Sequence, residues 1–500
     1  MPPAVHTVSG GLREILSRAS DDPHGADRLH IFSLALPEDV DPLSLWAVRP
    51  DGWAGSWETD DERWAGVGRT LALAAAGAGG SGGSGAAGAA GADQGLPQRG
   101  AIEAVEDAVW IGDTGADARP DAPGRGSEVS TVRLFGALPF QPDEDARDWG
   151  FLPKHGFVLP RWSVFRGAGF CHLQLALADR PDPEQHADLL GELAGVEAAL
   201  LSDGAADEAS PPGSISPASI SPGPARSEGP DGRDAWNEAI QSALREIRRG
   251  EFEKVVLSRR LDLRLGGPVS AEFLLRRLRT EGTGRFRFGL RHGERAFVGA
   301  SPECLFEKRG SRVAVEALAG TFDLGVDPDA EALVRAAEHL FASGKDLEEH
   351  ALVVRGIVDA LRPLAASVEA ESWPDVRAAG SLAHLSTAIA ADLRDGVSAF
   401  DLIAALHPTP AVGGLPREAA LRFIRRHEPE SRGLYAAPIG WLEPGGDACL
   451  AVGIRSALLW PDRARVFAGA GIVAASDPEA EWEETGAKLR WLGELLGGSA

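Results

Sequence analysis

A mixture of β-strands and α-helices is the fold class that this 500-residue sequence predicts, and two features predict it. Alternating apolar runs over 29–36, 131–136 and 169–177 are typical of half-buried strands, and the last two indicate antiparallel pairing. After Arg233, strand-like and helix-like segments alternate with few breaks to the end of the chain. The informative motifs concentrate in this second part, so we divide the chain into a variable N-terminal half, 1–235, and a second region, 236–500.

Two low-complexity tracts interrupt the N-terminal half. The tract 77–95 is rich in Gly, Ala and Ser, and the tract 202–233 is rich in Ser, Pro, Gly and Asp, so neither is expected to form a packed core. The first contains Gly77-Ala-Gly-Gly-Ser-Gly82, which matches a dinucleotide-binding fingerprint. Such a fingerprint needs a helix directly after the glycines. Here the glycines continue, which argues against a nucleotide site.

Charge and cysteine content exclude several classes of partner. The net charge is −24, whereas nucleic acids and anionic membrane surfaces require basic patches. Cys171, Cys304 and Cys449 are odd in number and far apart, which favours a reducing compartment. The sequence shows neither a secretory leader pattern nor an apolar run of membrane-spanning length. We therefore expect a cytoplasmic protein that binds neither nucleic acid nor membrane.

The second region opens with a predicted helix and a predicted strand. Trp236, Ile240, Leu244 and Ile247 recur at helical spacing, and Gly250 is placed to end the helix. The strand that follows, Phe252-Glu-Lys-Val-Val-Leu-Ser-Arg259, puts Lys254 on the same face as Phe252 and Val256. A lysine there is expected to be half-buried. It either extends its ammonium to solvent or, if its pKa is lowered, serves as a general base.

A carboxyl group interrupts the next apolar strand. Phe297-Val-Gly-Ala-Ser-Pro-Glu-Cys-Leu-Phe306 breaks at Ser301-Pro302, and Glu303 follows the break. Glu303 either turns to solvent or has a raised pKa that makes it a general acid at neutral pH. The strand over 312–321 should form a hairpin with it through Arg309-Gly310, and Gly320-Thr321 would then close an anion-binding turn.

Two predicted helices carry further carboxylates. In the amphipathic segment 345–359, Glu349 lies at the margin of the apolar stripe, either as a surface partner of Lys345 or as a metal ligand. His350 beside it is more typical of hydrogen-bonded packing than of a ligand. Near the C-terminus, Asp477 is placed to cap a helix on which Glu481, Glu484 and Lys488 share a face. That face is either solvated or an oxygen site for Mg²⁺.

Glycines precede this last helix. Gly469 and Gly471 would let backbone N–H groups approach an anion closely at the helix N-terminus.

Together, the motifs resemble the chorismate-utilising enzymes, and within them the isochorismate synthases. The resemblance covers roughly residue 235 to the end of the chain. Its motifs, in chain order, are Lys254-Val-Val-Leu-Ser-Arg, Val298-Gly-Ala-Ser-Pro-Glu303, Ala319-Gly-Thr321, Lys345-Asp-x-x-Glu-His350, His384-Leu-Ser-Thr387, His407-Pro-Thr-Pro-Ala411, Gly453-Ile-Arg455, Ala468-Gly-Ala-Gly-Ile472 and Glu481-x-x-Glu484-x-x-x-Lys488.

The resemblance implies one large α+β unit, with largely antiparallel layered sheets packed with helices. It implies that Lys254 activates a water for attack on C2 of chorismate, and that Glu303 protonates the departing C4 hydroxyl. It also implies Mg²⁺ as cofactor, with Glu349, Glu481 and Glu484 as its ligands. The residues implied to bind the substrate are Gly320, Thr321, His384, Ala411, Tyr435, Arg455, Gly469, Gly471 and Lys488.

Relatives within the family offer alternatives. Anthranilate-type enzymes use ammonia from a glutaminase and tend to lack a lysine at position 254, so no glutaminase subunit is expected here. Salicylate synthases add pyruvate elimination and tend to have threonine at the position of Ala411. A non-catalytic chorismate-binding relative is the third alternative. The resemblance favours an isochorismate synthase of menaquinone or siderophore biosynthesis, acting as a monomer or homodimer.

Overall fold

A computed structural model shows how these segments fold. It describes residues 30–37, 39–48, 52–74, 109–112, 132–141, 148–149, 155–177, 183–201, 232–265, 267, 269–281, 284–325, 330–428 and 430–496. The tract 77–95, with its glycine motif, lies outside these residues, as does 202–231 of the second tract.

The described residues form 22 strands and eight α-helices, with a 3-10 helix over Pro42–Val48. The first nine strands are β1 (His30–Ala35), β2 (Trp53–Glu58), β3 (Arg63–Val67), β4 (Leu71–Ala74), β5 (Val109–Gly112), β6 (Leu134–Ala137), β7 (His155–Leu159), β8 (Trp162–Gly167) and β9 (Phe170–Leu177). The remaining strands are β10 (Lys254–Arg264), β11 (Phe286–His292), β12 (Arg295–Ser301), β13 (Cys304–Arg309), β14 (Arg312–Asp323), β15 (Ala365–Ala370), β16 (Asp375–Ala379), β17 (Leu382–Leu393), β18 (Gly414–Leu415), β19 (Pro438–Leu442), β20 (Ala448–Val452), β21 (Ser456–Leu459) and β22 (Arg463–Ile472). The α-helices are α1 (Pro183–Leu201), α2 (Arg233–Arg248), α3 (Ala271–Thr280), α4 (Ala330–Ala342), α5 (Gly344–Leu361), α6 (Ala399–Leu406), α7 (Arg417–His427) and α8 (Pro478–Leu495).

Two sheets organise the described residues. The first has the strand order β18-β10-β22-β21-β12-β11-β2-β3-β8-β9-β1-β5, and the second has the order β15-β17-β14-β13-β20-β19-β6-β7-β4, with β16 paired to β17. Every pairing is antiparallel except that of β1 with β5. The predicted α+β class with antiparallel sheets is therefore confirmed.

Both sheets combine strands from the two halves of the chain. In the first sheet β11 pairs with β2, and in the second sheet β19 pairs with β6. The two sheets face each other across the main hydrophobic core, where Phe135 of β6 contacts Trp57 and Trp64 of the first sheet, with ring centroids 6.2 and 5.0 Å apart. The N-terminal strands thus complete the sheets that carry the second region. The division of the chain at 235 stays a prediction.

The predicted helix signals are confirmed at two termini, Gly250 and Asp477, and Ser343 adds a cap that was not predicted from the sequence. Gly250 follows α2 with a φ of 76°, a left-handed conformation that suits glycine. The Ser343 hydroxyl accepts a hydrogen bond from the Asp346 amide at the start of α5. The Asp477 carboxylate accepts from the amides of Glu479 and Ala480, directly before Pro478 of α8. These caps fix where the site-bearing faces of α5 and α8 begin.

No helix among the described residues is both long enough and apolar enough to cross a membrane.

We expect Gly136→Ala to destabilise the fold, because a Cβ at this position of β6 would collide with the backbone carbonyl of Gly156 on β7. Gly191→Ala in α1 is the matched control, since a Cβ there meets nothing within 4 Å. Thermal unfolding should show a clear loss of melting temperature for Gly136→Ala. The control should be neutral or more stable by roughly 0.5–1 kcal/mol. Equal melting temperatures would contradict the close approach of β6 and β7.

Candidate active site

Lys254 lies at the first position of β10 and is completely buried, with 0% exposure. The expectation of a half-buried side chain is therefore wrong, because α5 covers this end of the strand. The ammonium Nζ lies 3.1 Å from Oε1 of Glu349 on α5. A Cβ at Gly471 of β22 would collide with that same oxygen and lie 2.8 Å from Cε of Lys254. Glycine at 471 thus lets the lysine and the carboxylate meet against the strand.

Glu303 lies in the break between β12 and β13, and its side chain is buried. Burial raises its pKa to about 8, although Lys254 and a hydrogen bond from Thr409 lower it. The nearby Glu316 adds to the rise, and its own carboxylate is held by Ser386 and Arg377. Glu303 therefore keeps its proton at neutral pH while it lies in the field of Lys254. The prediction that this carboxyl group has a raised pKa is supported.

Thr409 is a site residue to which the sequence alone did not assign a role. Its hydroxyl lies 3.4 Å from Oε1 of Glu303, and the side chain is buried. Thr409 belongs to the run His407-Pro-Thr-Pro-Ala411, so the motif was the available signal. Ala411, two residues further on, is half-buried against the main hydrophobic core.

A lysine lies between the two carboxylates of α8. Lys345 Nζ is 2.8 Å from Oε1 of Glu481 and 3.8 Å from Oε2 of Glu484. On the other side, Lys488 Nζ lies 2.7 Å from Oε1 of Glu484 and donates to the Gly469 carbonyl at 3.0 Å. Lys345 is therefore a partner of Glu481 and Glu484, not a surface partner of Glu349.

The two carboxylates titrate differently because their neighbours differ. Burial, together with the charges of Glu484 and Glu349, raises the pKa of Glu481 to about 7 against the effect of Lys345. Burial acts in the same direction on Glu484, but Lys488 and Lys345 outweigh it and lower its pKa. The three carboxylates therefore act on one another inside one buried region.

This carboxylate set has the chemistry of a hard-cation site. Oε2 of Glu481 is buried and has no hydrogen-bond partner among the described residues, and Oε1 faces Lys345 without hydrogen-bond alignment. Oxygen-only carboxylate ligands suit Mg²⁺. As the side chains stand, the described part of the chain holds no group of three His, Cys, Asp or Glu residues already arranged around a metal. The carboxylate oxygens fit the ion, but Lys345 would have to move away from Glu481 and Glu484 for the ion to bind.

Arg455, His384 and Gly320 form a hydrogen-bonded chain. Arg455 donates from Nη2 to Nε2 of His384 at 2.8 Å, and Nδ1 of His384 lies 2.8 Å from the Gly320 carbonyl. Because the guanidinium can only donate and the carbonyl can only accept, the proton of the imidazole lies on Nδ1. Burial, Arg455 and Lys488 together lower the pKa of His384 to about 3, so the ring is neutral.

The prediction that Gly320 and Thr321 close a turn is wrong. They lie inside β14, at an irregularity where the register with β17 shifts between Ala319 and Phe322. Gly320 has a φ of 72°, and this bulge turns its carbonyl towards His384. The Thr321 hydroxyl lies 3.5 Å from Nδ1 of the same histidine. Both residues thus reach the predicted site by a different local structure.

Two residues near Tyr435 have a strained backbone conformation. Ala436 and Arg455 have φ values of 62° and 49°, which are uncommon for residues other than glycine. The two strained segments bind each other, since the Ala436 amide donates to the Gly453 carbonyl. Tyr435 stacks on Phe467 with ring centroids 5.0 Å apart, and its hydroxyl would lie 3.0 Å from a Cβ at Gly469. The tyrosine hydroxyl therefore packs closely against the backbone of Gly469.

His350 and Thr387 form a buried pair beside Lys254. Nε2 of His350 lies 2.7 Å from the Thr387 hydroxyl, whereas Nδ1 has no hydrogen-bond partner among the described residues. Burial and the Lys254 charge lower the pKa of the imidazole to about 4. The prediction that His350 is hydrogen-bonded within the packing is thus confirmed for Nε2 but not for Nδ1.

Chemically, the site combines the buried Lys254, a protonated carboxylic acid, three further carboxyl groups and three more cations, Lys345, Arg455 and Lys488. Burial lowers the pKa of Arg455 to about 10, so it remains charged at neutral pH next to Lys488. Such a site can bind a small dianion and move protons at two of its atoms.

Comparison with protein families gives a match over residues 118–497, to the family described as chorismate binding enzyme. Isochorismate synthase MenF of Bacillus subtilis is 41% identical over 266 residues, which are 53% of this chain and 56% of that protein. The salicylate biosynthesis isochorismate synthase of Pseudomonas aeruginosa is 41% identical over 264 residues, which are 53% of this chain and 55% of that protein. The chain thus spans about half the length of these curated relatives.

Among solved structures, the menaquinone-specific isochorismate synthase MenF of Escherichia coli superposes with a TM-score of 0.73. The match covers 98% of this chain and 99% of that one, at 26% sequence identity. The likeness therefore extends over the N-terminal half as well, where the sequence showed little recognisable motif.

We expect the Glu303 carboxylic acid to lose its proton between about pH 7 and pH 9, since its pKa is raised to about 8. Infrared difference spectra should show its C=O band at neutral pH and lose the band as the pH rises. Thr409→Val removes a hydrogen bond that lowers this pKa, so the transition should move to higher pH. Thr70→Val is the control, because that hydroxyl donates to the Ala176 carbonyl instead. A band that is absent at pH 6, or present unchanged in Glu303→Gln, would contradict the assignment.

Proposed function

Because the chain belongs to the chorismate-binding enzymes, we propose that it is an isochorismate synthase. In this reaction the hydroxyl group at C4 of chorismate is lost as water, and a hydroxyl group from another water enters at C2. The names of the Bacillus subtilis and Pseudomonas aeruginosa relatives support this choice within the family. The observation that carries the proposal is that a candidate base, Lys254, and a protonated carboxylic acid, Glu303, are both buried in the site.

The proton transfers follow from the two side chains. For this step Lys254 must first release the proton that makes it the cationic partner of Glu349. The free amine then takes a proton from water while the water oxygen bonds to C2 of the ring. The ring double bonds shift and the C4–O bond breaks. Glu303 gives its proton to the departing oxygen, so that one water enters and one water leaves. A positioned acid and a positioned base are each worth about 10²–10⁴ in rate.

Charge complementarity supports chorismate as the substrate. The chain is acidic overall, with a net charge of −24, yet Arg455 and Lys488 are partly buried cations that both act on the His384 imidazole. They would hold one carboxylate of the dianion, near the strand β22 that carries Gly469 and Gly471. Thr321, His384 and Tyr435 would line the ring.

We also propose Mg²⁺ as the cofactor, held by Glu349, Glu481 and Glu484. When bound, the ion would neutralise the second substrate carboxylate and hold it in the site. The buried Oε2 of Glu481, which has no hydrogen-bond partner among the described residues, supports this assignment. The product would supply menaquinone or siderophore synthesis, without a glutaminase subunit. A cytoplasmic location and a monomeric or homodimeric state remain predictions.

Lys254→Ala should lose turnover of chorismate by about 10²–10⁴-fold while chorismate binding is retained. The variant removes the base but keeps Arg455 and Lys488, the cations proposed to bind the substrate carboxylate. Product analysis by mass and isothermal titration measure the two properties. Lys308→Ala is a matched control, since Lys308 is a buried strand lysine that binds the carbonyls of Gly310 and Gly446 away from the site. Unchanged turnover in Lys254→Ala would refute the role of base.

Removal of divalent cations should abolish the conversion, and added Mg²⁺ should restore it. Purified protein is incubated with chorismate, with and without a chelator, and the products are separated and identified. Isochorismate without pyruvate is the expected result. Salicylate with pyruvate would indicate a salicylate synthase, and turnover that survives chelation would refute the metal assignment. Absence of any turnover would leave a non-catalytic chorismate-binding protein.

A further inference from the structure

Two buried polar atoms beside the proposed base have no hydrogen-bond partner among the described residues. One is Nδ1 of His350, and the other is Nζ of Lys254, which faces Glu349 at 3.1 Å without hydrogen-bond alignment. A buried donor or acceptor without a partner costs about 1–3 kcal/mol, so such atoms are normally satisfied by an ordered water. Both atoms belong to the same buried region, because Lys254 faces Glu349 at 3.1 Å and His350 is the next residue of α5. The Lys254 charge also acts on the His350 ring.

The opposite nitrogen of His350 is held firmly. Nε2 lies 2.7 Å from the Thr387 hydroxyl, and the imidazole is 4% exposed, so the ring has little freedom to turn. If Nε2–H donates to Thr387, Nδ1 presents a lone pair. This tautomer makes Nδ1 an acceptor, next to an amine that takes protons from water.

We propose that His350 is a positioning residue that orients the nucleophilic water through Nδ1. The inference rests on the proposed function, because it concerns the water that Lys254 activates. That water directs one O–H to Nζ of Lys254 and the other O–H to Nδ1 of His350. One of its lone pairs then points at the ring carbon. His350 neither gains nor loses a proton in the step, and in the proposed tautomer its Nε2–H donates to the Thr387 hydroxyl.

Two isosteric substitutions separate this role from simple packing. An asparagine amide occupies the position of Nδ1, and a glutamine amide occupies the position of Nε2. His350→Asn therefore keeps a polar group towards Lys254 and gives up the contact with Thr387. His350→Gln does the reverse. If His350 served only packing, the two substitutions would be expected to change kcat to a similar extent.

The test measures kcat, KM for chorismate and melting temperature for the wild-type protein and both variants, with Mg²⁺ present. We expect His350→Gln to lose kcat by about 100-fold with KM within about threefold, because misplaced reacting groups cost this much. His350→Asn should retain kcat within about tenfold of the wild-type value. If both variants lose kcat equally, or if His350→Gln matches the wild type, the positioning role is overturned while the proposed function stands. An inactive wild-type protein overturns both.

Thr387 provides a second measurement if His350→Gln does not fold. Thr387→Ser keeps the hydroxyl that accepts from Nε2–H in the proposed tautomer, whereas Thr387→Val removes it. Loss of such an outer partner of a site residue typically costs about 10–100-fold, so kcat should fall in Thr387→Val and be retained in Thr387→Ser. Equal kcat in the two variants would overturn the role of Nδ1 as a fixed acceptor.

Discussion

The ion pair between Lys254 and Glu349, buried where β10 meets α5, is the constraint on which the rest of the site depends. Charges taken out of water are costly unless they are paired and otherwise satisfied. The lysine has no exposed surface, so it relies on the carboxylate that faces it. Both side chains fit there because β22 carries a glycine at 471. A small backbone feature thus determines where the amine of the site lies.

Other parts of the site distribute charge around that pair. Glu303 stays protonated because burial disfavours its charged form, while Glu484 stays charged because two lysines flank it. Carboxyl groups of one chemical type therefore take different roles through their neighbours alone. The same principle lets an acidic protein present Arg455 and Lys488 together, since local burial and pairing act over shorter distances than the net charge of the chain.

Much of the site could be predicted because its residues fall in short motifs with regular spacing. Period two placed Lys254 on the same strand face as the buried Phe252 and Val256. The break at Ser301-Pro302 marked Glu303, and the cap at Asp477 marked the start of the helix of Glu481 and Glu484. The full burial of Lys254 could not be predicted, because it depends on a helix that begins 90 residues later in the chain. The contacts of Lys345 with Glu481 and of Thr409 with Glu303 were also not predicted, since each joins residues more than 100 positions apart. The bulge at Gly320 required knowledge of strand register, which a single sequence does not contain.

The pairing of β11 with β2 and of β19 with β6 has a consequence for how this protein can change over evolution. The motifs all fall in the second region, yet that region without its partner strands would have two open ladder edges inside the layered core. Open edges invite pairing with other chains. The chemically informative half is therefore not a transferable module. Gene fusions and rearrangements that keep the motifs but discard the first half should be selected against, even though that half contributes no recognised site residue.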